Sequence, residues 1–482
     1  MTNFDRRTVL STVGSGAIAL LAGCQGTDDA PDTTASTEPS TTTTAGSGTE
    51  TTTRDAPDAD ELKRRARRFV ALLADGAFED AHERFAPAAA EQISSDQLER
   101  VWTGVESQLG EFRTLSALEV GTREGYDAAT AIANFERGRR EVVLAFGTDA
   151  VTGFWIRRVT GEWSPPAYAD QSSFTERAVS LQATDACALE GTLTVPEGVE
   201  RAPGVVIVHG QGPQDRDGTV GPNKPYKDLA WGLASRGVAV LRYEKRTEAC
   251  DVNLAEITMD GAVTDDALAA ADALRETEVV ADEDVIVAGH SIGGTFAPRI
   301  AARDGNLGGI AMLAPLGRSV DDAILDQNQY LAERDGTVTD AEREQLNRSR
   351  TIVEQIRALD FPDDEVVYLG GDEYWRTLRE YDQLNAASDL EIPRLLLFGE
   401  RDFQVTVEDD LPLWTDALGD DPAVSFRRYD RLNHFFMPGD GKPGMDEYFE
   451  RNHVAERVVA DLAAFAADAT GAEVGVETTT SK

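Results

Sequence analysis

Lysine is the scarcest charged residue in the chain: of 482 residues, 86 are carboxylates and 46 are basic, and only six of the basic ones are Lys. The formal net charge of -40 is spread along the sequence and not gathered in one tail. A surface of that sign repels phosphate backbones, which excludes nucleic acid as a partner. Cysteine is nearly missing as well, with three residues in all. No apolar run is long enough to span the ~30 Å of a bilayer's hydrocarbon core with the margin a membrane helix needs. The nearest, residues 9–21, is short and rich in Gly and Ser. Five histidines restrict any general base to a handful of positions.

What is present has its own signature. The Arg-over-Lys bias together with the acid excess resembles the composition of proteins from extremely halophilic archaea, where high salt screens self-repulsion. The length exceeds one ordinary core, so two or three domains are expected once export and linker segments are discounted.

The first 24 residues, MTNFDRRTVLSTVGSGAIALLAGC, read as an export signal. Arg6 and Arg7 form a charged start that points to twin-arginine export, and Leu21-Ala22-Gly23-Cys24 looks like a lipobox, which makes Cys24 the expected lipidation site and the membrane the expected partner of that lipid. The alternative is an uncleaved anchor helix. Either way the rest of the chain lies outside the cell membrane. In an oxidising compartment Cys187 and Cys250 are either a disulfide pair or two free buried thiols.

Residues 25–56 repeat Thr, Ser, Asp and Pro with almost nothing apolar, so they cannot offset the entropy of ordering and are expected to be a disordered linker. A disordered tail is expected at 471–482. From 58 the pattern changes: Leu62, Ala66, Phe69, Val70 and Leu73 share one helical face, and more helix follows to about 109. Period-two runs then alternate with polar turns, among them YDAATAIANFE and REVVLAFG, as in an antiparallel meander. Residues 58–160 are therefore expected to form a small α+β domain.

After a Pro- and Ser-rich stretch at 160–172, ERAVSLQA and CALEGTLTVP read as a hairpin. Buried-type strands then alternate with helices near 225–236, 262–277 and 291–303. Strands GVVIVHG, GVAVLRYE, DVIVAG and GGIAMLAP are continuously apolar, as strands covered by helices on both faces should be. The alternation breaks at about 318–388 for amphipathic helices, an insertion expected to cap the strand ends, and resumes with PRLLLFG at 393.

Gly289-His290-Ser291-Ile292-Gly293 is a G-x-S-x-G segment between a buried strand and a helix, the context a nucleophile elbow needs. Ser291 is the candidate nucleophile, and the Ile292 N–H at the helix start is a candidate oxyanion donor. A serine hydroxyl needs a base. His290 diverges from its neighbour on a sharp turn, His82 lies in the other domain, and His209 ends a strand in a role expected to be structural. His434, on the loop after the last strand, is the candidate base, with His453 the weaker alternative. Glu400 and Asp402 both follow strand 393–398. Asp402 is preferred because in related loops the residue after such a turn reaches the imidazole, and its alternative is a cap on the next helix. Gln211, in HGQGP, is the candidate second oxyanion donor. No metal or organic cofactor is expected.

The segments HGQGPQDRDG, GPNKPYKDLAWGLASRGVAVLRYEKRT, GHSIGG, YWRTL, GERDFQVT and NHFFMPG, in that order, resemble the α/β-hydrolase esterases of the EstD-like group, related to dienelactone hydrolases. The resemblance covers about 175–470. Residues 60–160 resemble the NTF2-like, cystatin-type domain (DUF3887-type) that precedes some exported hydrolases. These likenesses imply an α/β-hydrolase fold, with a mainly parallel sheet and a helical cap, plus a small N-terminal α+β domain. They imply a serine carboxylesterase acting on small-molecule esters, with Ser291, Asp402 and His434 as triad. In the cap, Tyr374 and Trp375 are expected to wall the acyl site. One rival reading is a thioesterase, lactonase or peptidase on the same fold. Another is a non-enzymatic surface binding protein with a relic hydrolase fold. The sequence leaves the oligomeric state open.

Overall fold

In the computed structural model, the described residues run from 59 to 472, apart from short breaks at 91–92, 124–125, 136–137, 148–149, 159–162, 185–186, 361 and 363–364. Cys24, the expected signal segment, the 25–56 stretch and nearly all of the 471–482 tail lie outside them. The chain divides into two compact units, with the boundary between Thr160 and Gly161. Among the described residues no helix is long and apolar enough to cross a membrane.

In the N-terminal unit the helix Ala59–Ala74 buries Leu62, Ala66, Phe69, Val70 and Leu73, the stripe its 3.6-residue period dictates. The helix Ser95–Leu109 starts with a capping box: Ser94 Oγ accepts from Gln97 N–H, and Gln97 Oε1 accepts from Ser94 N–H. Strands β1 (Phe112–Arg123), β2 (Tyr126–Phe135), β3 (Gly138–Phe146) and β4 (Val151–Arg158) pair in sequence order as an antiparallel meander. Ala129, Ala133 and Phe135, with Val142, Leu144 and Phe146, turn inward at period two against Phe69 and Trp102. This is the expected α+β unit.

Among its described residues the second unit is built on eight strands: β5 (Phe174–Thr184), β6 (Cys187–Pro196), β7 (Gly204–Val208), β8 (Ala239–Tyr243), β9 (Val285–His290), β10 (Gly309–Leu313), β11 (Arg394–Gly399) and β12 (Val424–Tyr429). Their order in the sheet is β12-β11-β10-β9-β7-β8-β6-β5. β5, β6 and β8 run antiparallel to their neighbours in turn, and from β8 to β12 every pairing is parallel. The exchange of β7 and β8 within an otherwise sequential order is the α/β-hydrolase arrangement, and β7 to β11 are buried along their whole length. β12, at the edge, carries exposed Arg427 and Arg428, which discourage further strand pairing.

Two features depart from the pattern read in the sequence. Arg242 sits inside β8, 2% exposed, and pairs there with Glu176 and Asp217. The helix expected at 262–277 begins instead with a π-helical turn, Asp260–Thr264, before the α-helix Asp265–Arg275. Arg299 takes hold of Asp260 at that turn.

Between β10 and β11 the described residues form four helices, Val320–Glu333, Asp340–Ala358, Asp372–Glu380 and Gln383–Ser388. Cys187, at the start of β6, is disulfide-bonded to Cys250, which follows the short helix Arg246–Ala249. The bridge spans 63 residues of sequence. Closing a loop of that size in the unfolded chain is worth about 4 kcal/mol on chain-entropy grounds, and native bridges commonly deliver about 2–5 kcal/mol. Cys250→Ser should therefore lower the denaturant midpoint of this unit by an amount equivalent to about 2–4 kcal/mol. Equal midpoints for the variant and wild type under oxidising conditions would show that the bridge does not stabilise the fold.

Candidate active site

The loops at the carboxyl ends of β7, β9, β11 and β12 carry the candidate residues, where ligands of parallel α/β sheets bind. Between β9 and the helix Ile292–Asp304, Ser291 has φ 54° and ψ -120°, a backbone conformation costing about 1–3 kcal/mol for a non-glycine residue. It is held there by the donation of its N–H to the Leu313 carbonyl of β10 at 2.8 Å, while its own carbonyl accepts from Thr295 N–H at 2.9 Å. The flanking glycines answer a packing demand. A Cβ on Gly289 would lie 2.2 Å from the Gly293 carbonyl oxygen, and one on Gly293 would lie 2.4 Å from that of His209. Any side chain would push strand and helix apart and lift the serine off the end of β7.

Asp402 and His434 come together from separate loops: His434 Nδ1 lies 2.7 Å from Asp402 Oδ2, with both side chains buried. The other carboxylate oxygen accepts from the N–H groups of Gln404 and Val405 at 2.8 and 3.0 Å. Asp402 thus holds a turn with one oxygen and orients an imidazole with the other, and it caps no helix, since the next one, Leu411–Leu418, is preceded by Asp410. The His434 loop is shaped by Asn433, whose Oδ1 accepts from the N–H groups of Phe435 and Met437, each at 3.1 Å. A Cβ at Gly399 would meet the Leu432 carbonyl oxygen at 2.5 Å, so glycine there lets the acid's turn lie against the histidine's loop. Glu400 is exposed and paired with Arg428 at 2.8 Å, away from the imidazole.

Each remaining histidine has separate employment. His453 Nδ1 lies 3.0 Å from the buried Asp228 carboxylate, which also accepts from Trp163 Nε1 and Val454 N–H. His82 Nε2 faces the Ala90 carbonyl at 3.2 Å. His209 packs edge-on against Tyr226 and Tyr243, and burial pushes its pKa down to about 3. His290 does more than fill space. Its Nε2 donates to the His434 backbone carbonyl at 2.9 Å, and its Nδ1 faces the Tyr226 hydroxyl at 3.1 Å. Burial holds His290 far below the usual histidine range, so it is a neutral strut under the His434 loop. This contact runs between residues 144 apart in sequence, and spacing gives no sign of it.

Among the described residues Ser291 Oγ and His434 Nε2 make no hydrogen bond with each other. Such bonds are often long without substrate and tighten in the Michaelis complex. Gly210 lies beside the serine, and a Cβ there would be 3.4 Å from Ser291 Cβ. Gln211 follows it, buried, with its side-chain amide against the Tyr374 hydroxyl of the helix Asp372–Glu380. Tyr374 therefore joins the cap to the loop that carries the candidate second oxyanion donor. Trp375 is seated within the cap, where Nε1 donates to the Val367 carbonyl at 3.0 Å, and it also borders a cavity of about 610 Å³ with Thr295, Arg318, Leu378, Tyr381 and Gln383. Among the described residues no group of three or more His, Cys, Asp or Glu side chains is arranged to hold a metal ion.

Comparison with known proteins adds three kinds of likeness. Residues 66–153 match the family described as "Protein of unknown function (DUF3887)". Over 397 residues the chain is 35% identical to Esterase EstD of Thermotoga maritima, covering 82% of this chain and 93% of that protein. Among solved structures, brefeldin A esterase, a bacterial homologue of human hormone-sensitive lipase, aligns over 65% of this chain and 81% of its own at 18% identity and a TM-score of 0.40. An esterase of Pyrobaculum calidifontis aligns over 62% of this chain and 86% of its own at 16% identity and a TM-score of 0.42.

Proposed function

The chain belongs to the family of Esterase EstD and is a carboxylesterase-type hydrolase, and from that premise we propose that it is an exported, lipid-anchored enzyme that cleaves small-molecule carboxylic esters through an acyl-enzyme on Ser291. The observation that carries the catalytic part is the 2.7 Å contact between His434 and Asp402, beside a serine held in a strained elbow.

The reaction follows from that geometry. His434 Nε2 takes the proton of Ser291 Oγ as the oxygen attacks the ester carbonyl, while Asp402 holds Nδ1–H and stabilises the imidazolium. The Ile292 and Gln211 N–H groups receive the developing oxyanion. Collapse of the tetrahedral intermediate breaks the ester C–O bond, and His434 returns the proton to the leaving alkoxide. Water then repeats the sequence on the acyl-enzyme, releasing the acid and restoring Ser291. Thioesters, lactones and peptides can enter the same cycle, so a panel of p-nitrophenyl esters of rising chain length, run in molar salt beside thioester and lactone substrates, sets the preference.

Export and anchoring rest on the sequence of residues 1–24, and the Cys187–Cys250 disulfide supports an oxidising location. The small N-terminal unit has no role assigned by this reading.

Two tests follow. Asp402→Asn should leave the fold intact and lower kcat by about 10⁴, because the imidazole loses its orienting acceptor, whereas Glu400→Gln should stay within about threefold of wild type. Steady-state kinetics on a p-nitrophenyl ester decide, and the reverse ranking would move the acid to Glu400. For the anchor, Cys24→Ala should shift the protein from the membrane fraction to the soluble fraction or leave it unprocessed. An unchanged membrane fraction and unchanged mass would mean that an ordinary helix anchors it.

A further inference from the structure

Lys245 is 4% exposed, and it does not spend its charge on a carboxylate. The acid that bears on it, Asp266, is gripped by Arg246 through bonds of 2.6, 3.1 and 3.2 Å. Lys245 Nζ donates instead to the carbonyl oxygen of Gly210 at 2.5 Å. Burying an ammonium against a neutral carbonyl is costly, and an apolar side chain would pack the same space without that cost. Burial pushes the Lys245 pKa down to about 7, because desolvation disfavours its charged form.

The carbonyl it holds belongs to the peptide between Gly210 and Gln211. No peptide among the described residues is cis, so the C=O and N–H of that unit point in opposite directions. Fixing the carbonyl toward Lys245 fixes the Gln211 N–H on the opposite side, and among the described residues that N–H donates to no acceptor. Gly210 is restrained from its other end too, since its own N–H donates to the Tyr226 hydroxyl at 3.2 Å. The hold extends along the loop: Thr247 Oγ1 donates to the Gly212 carbonyl at 3.4 Å and the Lys245 N–H to the Gln214 carbonyl at 3.1 Å. Alternate carbonyls of residues 210, 212 and 214 are thus pinned by the three-residue segment after β8.

We infer that Lys245 is a positioning residue for the oxyanion hole: it clamps the Gly210 carbonyl so that the Gln211 N–H is presented, and polarised, toward the carbonyl oxygen of the ester bound at Ser291. The inference rests on the serine-esterase reading and extends it, because it assigns the orientation of the Gln211 N–H, the second donor of that reading, to the buried Lys245. Lys245 touches neither substrate nor nucleophile. Its effect should therefore be confined to the tetrahedral state, where the donor matters, and be small on ground-state binding.

The test compares Lys245→Met with wild type by steady-state kinetics on a p-nitrophenyl ester and by inhibition with benzeneboronic acid, which forms a tetrahedral anion on the serine. Circular dichroism and a thermal melt check the fold. Loss of a well-aligned oxyanion donor costs about 10²–10³ in kcat, so kcat and boronate affinity should each fall by about 100-fold while KM moves less than about threefold. Lys245→Arg should recover part of both losses, because it restores a cation with N–H donors. Folded Lys245→Met with kcat and boronate affinity within about threefold of wild type overturns the inference, and so does a loss confined to KM. Should Lys245→Met fail to fold, Thr247→Val decides, since it removes only one hydroxyl from the same clamp. A several-fold loss of boronate affinity in that variant supports the inference, and wild-type affinity overturns it. A wild-type protein that neither turns over esters nor binds the boronate would overturn the esterase reading and this inference together, whereas an active wild type with an unaffected Lys245→Met sinks the inference alone.

Discussion

The contact on which the site depends is the approach of Gly293 to the end of β7, where a Cβ would lie 2.4 Å from the His209 carbonyl oxygen and 2.7 Å from that of Val208. Only a bare Cα lets the helix after Ser291 seat itself against that strand. The same approach holds Ser291 in its unfavourable backbone conformation and sets Gly210, two residues past β7, beside the serine. Ser291 and the Gly210–Gln211 loop are thus two ends of one close backbone packing, and the strain at Ser291 is offset by the buried sheet on either side. The crowding of glycines around one hydroxyl is a consequence of this geometry.

Asp402 and His434 are coupled to that centre by a second set of close approaches. Gly399 lets the turn carrying Asp402 lie against the carbonyls of Leu432 and Asn433, and His290, next to Ser291 in sequence, holds the backbone carbonyl of His434. Asp402 divides its two oxygens between a turn and an imidazole. A carboxylate fixed by two backbone N–H groups has little freedom left, so the imidazole it orients is positioned by the fold and not by side-chain rotamers alone.

Much of this was legible in the sequence, for physical reasons that differ from residue to residue. The inner parallel strands are buried on both faces and are mainly apolar, which made β7, β9, β10 and β11 readable as blocks. Ser291 was readable because a sharp strand-to-helix turn demands small neighbours in a fixed pattern. What the sequence hid depends on partners far away along the chain. Arg242 breaks an apolar strand, yet it is stable there because Glu176 and Asp217 reach it from 66 and 25 residues away. The contact of Gln211 with Tyr374 and the grip of Lys245 on Gly210 are likewise products of topology. Local pattern carries no trace of them.

The central claim is that Ser291 becomes covalently acylated, and covalent capture tests it more directly than any rate. Full-length wild-type protein and Ser291→Ala, each folded in molar salt, would be treated with a fluorophosphonate, digested and mapped by mass spectrometry. The expected result is one stoichiometric adduct on Ser291 that abolishes ester hydrolysis and is missing from Ser291→Ala. An active protein that stays unlabelled, or that is labelled at another residue while Ser291→Ala still hydrolyses esters, would contradict a serine acyl-enzyme.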